Sequence, residues 1–190
     1  MGESAYYQTL AETFLKAWNG STITLLRDVT LTGNCSASNT ILDLNGKTIT
    51  SGDKFFNVNE KLTVKDSSEG GGRQALNVKF SVGSNGTLVV DNSYTGEISR
   101  VELQAGGALE AYTGTIQELL LGKGNGTGYS VKLWKGNAHC CTVKKITLAK
   151  DADQALTVGG LLKTNHASAS CTAKRAVHGA SFPRRKKSPN

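Results

Sequence analysis

Residues 40–50 read TILDLNGKTIT, two short runs of alternating aliphatic and polar residues joined by an Asn-Gly pair. Alternation with a period of two is typical of a strand that buries one face. An Asn-Gly pair readily adopts the positive φ angles of a tight corner. The stretch therefore predicts two strands of one coil, with Asn45 and Gly46 at the corner between them.

Similar runs recur from Ser21 onward with an irregular period of about 22 residues. Each run holds two aliphatic residues that would point inward: Ile23 and Leu25, Leu42 and Leu44, Leu62 and Val64, Leu88 and Val90, Leu109 and Ala111, Val131 and Leu133, Leu156 and Val158. A repeat of this length without an internal helix is typical of a β-solenoid, whose stacked coils share one core. We expect about seven coils over residues 21–165.

Glycine corners support the stacking of these coils. Gly86 and Gly107 stand before Leu88 and Leu109, and the glycines and the leucines have the same offset along the chain. An antiparallel β-sandwich is the second architecture that strands of this length permit. The repeated corners, the absence of a central Trp between paired cysteines and the presence of only two prolines favour the solenoid.

Residues 1–20 predict an amphipathic helix. Apolar residues recur there at helical spacing, Ser4 stands in N-cap position, and Asn19-Gly20 supplies a stop. The apolar face comprises Tyr7, Leu10, Ala11, Phe14, Leu15 and Trp18. Because the first coil of a solenoid exposes its core and its strand edges, we expect this helix to cover that coil as a cap.

The net charge of +7 is concentrated at the C-terminus. Residues 174–190 hold six basic residues and no acidic one, and residues 1–173 hold 16 basic against 15 acidic residues. No aromatic residues interleave with the bases, so residues 166–190 predict a disordered basic tail rather than a nucleic-acid site. No apolar run reaches the roughly 18 residues of a membrane span, and residues 1–20 do not match a secretory signal.

The four cysteines, Cys35, Cys140, Cys141 and Cys171, lack the CxxC spacing of a zinc or redox motif. Side chains of adjacent strand residues point to opposite faces, so Cys140 and Cys141 predict one buried and one exposed thiol. A Cys35 to Cys171 disulfide remains open. The three histidines, His139, His166 and His178, are interpreted as unrelated to the cysteines, and we expect neither a metal ion nor a cofactor.

Three stretches carry a family resemblance: AWNGSTITLLRDVTLTG, TILDLNGKTITSG and KLTVKDSSEGGG. They resemble the opening of the repetitive surface proteins of Gram-positive gut bacteria, whose extracellular regions are similar to the pectate-lyase-like fold. The resemblance covers residues 5–165 and implies a right-handed parallel β-helix displayed at the cell surface or secreted. The chain departs from that family in lacking a visible signal peptide and a cell-wall anchor. Its C-terminal stretch, AKRAVHGASFPRRKKSPN, matches no coil, which is typical of a fragment or of an altered reading frame.

Three aspartates, Asp43, Asp66 and Asp91, are the candidates for catalysis. Stacked coils would bring them to one side, where carboxylates with Lys65, Arg73 or Arg100 would suit a polysaccharide lyase or glycoside hydrolase. However, Asp66 and Asp91 begin the turns DSS and DNS, which is typical of Asx turns, and Asp43 is interpreted as a solvated residue in mid-strand. We therefore expect no catalysis, and the enzyme stays the alternative.

The remaining candidate for a functional feature is the flat outer surface of the solenoid, which is rich in Thr, Ser, Asn and Lys. Tyr94 and Tyr112 both occur in YTG triplets, which places them at related corners where they would contact sugar rings. The function expected from the sequence is a non-catalytic adhesion or spacer module that contacts a glycan or a host protein. The oligomeric state stays open because the last coil, near Leu161, has no evident cap.

Overall fold

A computed structural model of the chain describes residues 5–69, 76–122, 128–133 and 141–148. Within these ranges the backbone forms one short α-helix and fourteen β-strands. The helix is α1 (Leu10–Lys16), and the strands are β1 (Thr22–Thr24), β2 (Val29–Thr30), β3 (Cys35–Ala37), β4 (Thr40–Asp43), β5 (Ile49–Val58), β6 (Lys61–Lys65), β7 (Leu76–Val82), β8 (Thr87–Val90), β9 (Glu97–Leu103), β10 (Ala108–Ala111), β11 (Thr115–Leu121), β12 (Ser130–Leu133), β13 (Thr142–Val143) and β14 (Ile146–Leu148).

The strands form two parallel sheets. The first has the order β1-β4-β6-β8-β10-β12, and the second has the order β2-β5-β7-β9-β11-β13, with β3 beside β5 and β14 beside β11. Every strand pair in the described ranges is parallel. The chain alternates between the sheets and makes about five turns of a β-solenoid. The predicted solenoid is confirmed and the antiparallel sandwich is wrong. The predicted coil at Leu156 and the tail at 166–190 lie outside the described residues.

One step of the predicted register is wrong. Ile23 does pair with Leu42, and Leu62 with Leu88, but Leu42 pairs with Val64 rather than with Leu62. The two registers differ by two positions. Because side chains alternate with a period of two, such a shift keeps the same residues inward. The alternating sequence pattern is therefore compatible with both registers.

The core consists of inward columns in which each coil adds one side chain. Phe56, Phe80, Val101 and Leu119 follow one another through β5, β7, β9 and β11, and all are buried. The ring centroids of Phe56 and Phe80 lie 5.5 Å apart, and Phe14 of α1 meets Phe56 edge-on at 5.4 Å. The helix is therefore joined to the core through an aromatic stack.

The helix is shorter than predicted. It begins at Leu10, with Thr9 rather than Ser4 as N-cap, and it ends at Lys16. Of the predicted apolar face, only Leu10 and Phe14 are buried. Tyr7, Leu15 and Trp18 are exposed. The cap is thus confirmed for α1 itself and wrong for the flanking residues, because a helix of this length brings one i, i+4 pair onto the first coil.

The corner before β8 needs a glycine. A Cβ at Gly86 would overlap the carbonyl oxygen of Val58 and would lie 2.9 Å from Cγ1 of Val82. We expect Gly86→Ala to lower the free energy of unfolding by about 2 kcal/mol, since backbone must shift to admit the methyl group. The measurement is urea denaturation followed by circular dichroism.

Gly33→Ala is the matched control for this substitution. A Cβ at Gly33 would meet no atom within 4 Å. We expect that variant to unfold within about 0.5 kcal/mol of the parent chain. Equal losses in the two variants would contradict the steric explanation.

Candidate functional site

The first candidate carboxylate, Asp43, is the last residue of β4 and is only 4% exposed. Its Oδ1 accepts hydrogen bonds from the amides of Asn45 at 3.1 Å and Ser67 at 3.0 Å. Its Oδ2 lies 3.3 Å from Nζ of Lys65. The interpretation of Asp43 as a solvated mid-strand residue is therefore wrong. It points outward, but the turn of the next coil covers it.

The second carboxylate, Asp66, is still more deeply buried, at 2% exposed. Its Oδ1 accepts from the amides of Ser68 at 2.9 Å and Gly46 at 3.0 Å. Asp43 thus bonds the turn after Asp66, and Asp66 bonds the turn after Asp43. The two corners of successive coils are tied together reciprocally. The Oδ2 of Asp66 is buried and has no hydrogen-bond partner among the described residues.

The third carboxylate, Asp91, forms the same kind of turn in the following coil. Its Oδ1 accepts from the amide of Ser93 at 3.0 Å, and Oγ of Ser93 accepts from the amide of Asp66 at 3.1 Å. The Asx turns predicted at Asp66 and Asp91 are confirmed, and Asp43 makes a third. The structure brings all three aspartates to one corner, but Asp43 and Asp66 do not face an open groove.

Electrostatics at this corner favour an ionised Asp43. Burial raises the pKa of this carboxyl, but the hydrogen bonds from Ser67 and Asn45 together with the Lys65 ammonium outweigh burial and hold the pKa below its usual value. A general acid needs a pKa raised toward the working pH. Asp43 is therefore suited to bonding the turns and poorly suited to proton donation.

The proposed cationic partners are divided between the two sheets. Lys65 is ion-paired with Asp43. Arg100 instead lies on β9 in the second sheet, 3.5 Å from Glu102 and 3.8 Å from Glu118. Its expected role beside the aspartates is wrong, since its guanidinium belongs to a separate row of charges. Arg73 lies outside the described residues.

That row of charges on the second sheet was not predicted from the sequence. The register places Lys79, Arg100 and Glu118 side by side on successive strands. Glu118 also accepts from Lys145 at 2.9 Å. The hydrogen bond from Lys145, despite opposing desolvation, lowers the pKa of Glu118, with further lowering from Thr147 and Arg100. A charged residue at nearly the same place in each of three successive coils was the available signal.

The two candidate tyrosines lie at the same corner of successive coils, each three residues before one of the paired residues Glu97 and Thr115, but their environments differ. Tyr94 is wholly buried; its hydroxyl donates to the carbonyl of Glu97 at 2.9 Å and accepts from the amide of Leu76 at 3.3 Å. Burial raises the pKa of this phenol. Its predicted contact with a ligand is wrong, because the ring fills the core.

Tyr112, in contrast, lies on the outer face of the first sheet. It directly follows β10, its amide donates to the carbonyl of Val90, and its side chain is half-buried. Tyr94 comes three positions after Asp91, whereas Tyr112 lies beside Asp91 in the register. The two YTG triplets therefore keep the same place before β9 and β11, but they differ in their distance from β8 and β10.

An outward row of polar side chains crosses this face. The register pairs Thr24 with Asp43 and Asp43 with Lys65, and the strand alignment continues the row through Asp91 to Tyr112. We call these five residues the polar row. The row carries hydroxyl, carboxylate and ammonium groups at the spacing of parallel strands, about 4.8 Å, and one aromatic ring at its end.

The neighbouring outward row ends in an ion pair. Nζ of Lys132 lies 2.8 Å from Oε1 of Glu110, and the two residues are paired in the register of β10 and β12. The hydrogen bond to Glu110 raises the pKa of Lys132. Charged groups of both signs thus lie near Tyr112.

The two cysteines that the structure describes are buried thiols. Cys35 forms no disulfide with a described residue, and burial raises its pKa to about 11. Burial likewise raises the pKa of Cys141 to about 12. Cys140, Cys171 and the three histidines lie outside the described residues. Among the residues that are described, no group of three His, Cys, Asp or Glu side chains is arranged to hold a metal ion.

In the described part of the chain, the helix is too short and too polar to cross a membrane. Comparison with known proteins gives no further guide: no protein-family model, curated protein or solved structure matches this chain.

Proposed function

We propose that this chain is a non-catalytic adhesion or spacer module, displayed outside the cell, whose polar row contacts a glycan. The observation that carries the proposal is the use of the corner carboxylates. Asp43 and Asp66 accept backbone amides from two coils each, so they hold the solenoid together. Groups committed in this way are not available to transfer protons to a substrate.

The outer face of the first sheet offers chemistry that suits a saccharide. Sugar hydroxyls exchange hydrogen bonds with carboxylates, ammonium groups and hydroxyls, and the apolar faces of sugar rings pack on aromatic rings. The polar row supplies these groups through Lys65, Asp91 and Tyr112, with Glu110 and Lys132 beside it. An extended row suits a chain of sugar units better than a single small molecule.

The spacer role is supported by the way a solenoid is built. Each coil contacts only its neighbours, and the shared core makes the stack stiff along its axis. Each coil adds about 4.8 Å to the length of the rod. A rod of this kind holds a contact surface away from whatever anchors it.

Removal of the aromatic ring tests the glycan contact. We expect Tyr112→Ala to weaken binding of an acidic or neutral polysaccharide by about tenfold, because one ring-stacking contact is lost. The measurement is isothermal titration of the full chain with the oligosaccharides that bind best on a glycan array.

Phe55→Ala provides a matched control. Phe55 is also a half-buried outward aromatic residue, but it lies on the second sheet with Nζ of Lys79 at 5.6 Å from its ring centroid. We expect its removal to leave glycan affinity unchanged. An equal loss in both variants, or no glycan binding by the parent chain, would contradict the proposed contact.

The enzyme alternative draws on one observation, the position of Lys65 between Asp43 and Asp91 in the polar row. Incubation of the same protein preparations with acidic polysaccharides and Ca²⁺ tests this enzyme alternative. Depolymerisation that Asp91→Asn abolishes would favour a lyase or hydrolase over the adhesion module.

A further inference from the structure

Among the described residues, the large exposed apolar side chains are concentrated in the N-terminal segment that holds the cap helix. Leu10 and Phe14 of α1 point into the core, so the opposite face carries Glu12, Leu15 and Lys16. Leu15 is 82% exposed. Glu12 and Lys16 are one turn apart and therefore lie on the same side of the helix, with the leucine beside them.

Further exposed apolar side chains occur in the segments before and after this helix. Trp18 is 83% exposed and Leu26 is 65% exposed. Nη2 of Arg27 donates to the carbonyl of Gln8 at 3.2 Å, which ties the segment after Leu26 to the segment before the helix. We define the cap patch as Tyr6, Tyr7, Leu15, Trp18 and Leu26.

The size of the cap patch is close to what a small interface needs. Three aromatic and two leucine side chains exposed to this degree offer on the order of 600 Å² of surface. The largest apolar patch of an ordinary monomer is about 300–600 Å², and a standard interface buries about 800 Å² on each partner. With the charged side chains beside it, the cap patch reaches the lower limit of the area that a specific interface buries on each partner.

The charges around the patch indicate the kind of partner. On α1 the rim holds one acidic side chain, Glu12, and one basic side chain, Lys16. An anionic membrane favours a clear excess of basic residues around exposed aromatics, and this rim has none. A balanced rim is complementary to itself, because a two-fold axis brings unlike charges together.

We propose that the cap patch is the contact surface for a second copy of this chain, with the two α1 helices packed antiparallel about a two-fold axis. In that arrangement Glu12 of each copy faces Lys16 of the other, because the two residues are equally spaced about the middle of the contact. Leu15 of both copies lies near the axis. The apolar side chains leave water, and two ion pairs set the orientation of the helices.

Sedimentation equilibrium of the full chain tests the pairing. We expect a dimer with a dissociation constant of about 10–100 μM, as suits a small interface. Glu12→Lys places like charges opposite each other twice and is expected to weaken the dimer about tenfold. The double variant Glu12→Lys/Lys16→Glu restores unlike charges and is expected to return the dissociation constant to within about threefold of the parent value.

Two further variants, one control and one second test, separate the antiparallel packing of the α1 helices from other causes of association. Asp53→Lys makes the same charge change at a residue whose side chain is 84% exposed on β5, and it should leave the dimer unchanged. Leu15→Ser should raise the dissociation constant at least about tenfold while the circular dichroism spectrum stays that of the parent chain.

Three results would overturn the proposal. The first is a chain that stays monomeric up to about 1 mM. The second is a dimer that Glu12→Lys leaves unchanged or that the double variant fails to restore. The third is a monomer that binds phosphatidylserine vesicles more tightly after Glu12→Lys, which would identify the cap patch as a lipid-binding surface instead.

Discussion

Replacing Phe56 with alanine is expected to lower the free energy of unfolding by about 3–5 kcal/mol, the usual range for deletion of a buried aromatic ring. The ring is wholly buried between Phe14 and Phe80, with centroid distances of 5.4 and 5.5 Å. Its loss leaves a cavity where the cap helix meets the first two coils. Because α1 buries only Leu10 and Phe14, the helix should detach at lower denaturant than the coils.

The measurement is urea denaturation, with the far-ultraviolet circular dichroism signal for the coils and amide hydrogen exchange of α1 for the cap. Phe55→Ala is the control, since it removes the same atoms from the neighbouring residue of β5, where the ring is only half-buried. We expect a loss of about 1 kcal/mol or less from that change. Similar losses in the two variants would show that the aromatic stack does not join the cap to the core.

The fold was readable from the sequence because a solenoid repeats one simple pattern. TILDLNGKTIT contains a strand, a corner and a strand, and Asn45 and Gly46 do adopt the positive φ angles, 47° and 72°, that the corner requires. The same alternation could not fix the register between β4 and β6. In the observed register Asp43 meets Lys65, and this contact joins two coils, so no pattern within a single coil contains it.

The helix boundaries were mispredicted although the sequence carried a signal for them. Thr9 followed by Glu12 matches the start of a capping box, and the amide of Glu12 donates to Oγ1 of Thr9 at 3.2 Å. The helical spacing of the apolar residues predicts a longer helix than the one that this capping signal marks. Trp18 continued the spacing, but it lies after the helix and is exposed.

At the candidate site, the type of a residue and its neighbours in sequence did not predict whether its side chain is buried or exposed. Tyr94 and Tyr112 begin identical triplets, yet one fills the core and the other lies on the outer face. The difference arises from the turn after Asp91, which inserts residues before Tyr94 that have no counterpart before Tyr112. The burial of Asp43 likewise comes from Ser67, which belongs to the turn of the next coil, and no local pattern contains it.

Replacing Asp43 with alanine is expected to lower the free energy of unfolding by about 3 kcal/mol, since each buried donor left unpaired costs about 1–3 kcal/mol. The change removes the acceptor for the amides of Asn45 and Ser67, and it leaves Lys65 without its partner. Two successive coils lose contact at one corner. The measurement is urea denaturation at pH 7.

Asp43→Asn separates the charge from the hydrogen bonds, because the amide oxygen still accepts while the negative charge is gone. The folded-state pKa of Asp43 lies below its usual value, so ionisation of this carboxyl stabilises the fold at every pH above the unfolded value of about 3.9. That contribution is lost as the pH falls through the folded pKa.

The stability difference between the parent chain and Asp43→Asn should therefore be constant from about pH 5 to pH 7 and should shrink below about pH 4. Other carboxylates with lowered pKa values, such as Glu118, titrate in both proteins and cancel in the difference. A difference that does not change between pH 7 and pH 3 would mean that the charge of Asp43 does not hold the two corners together, and that its oxygens alone do.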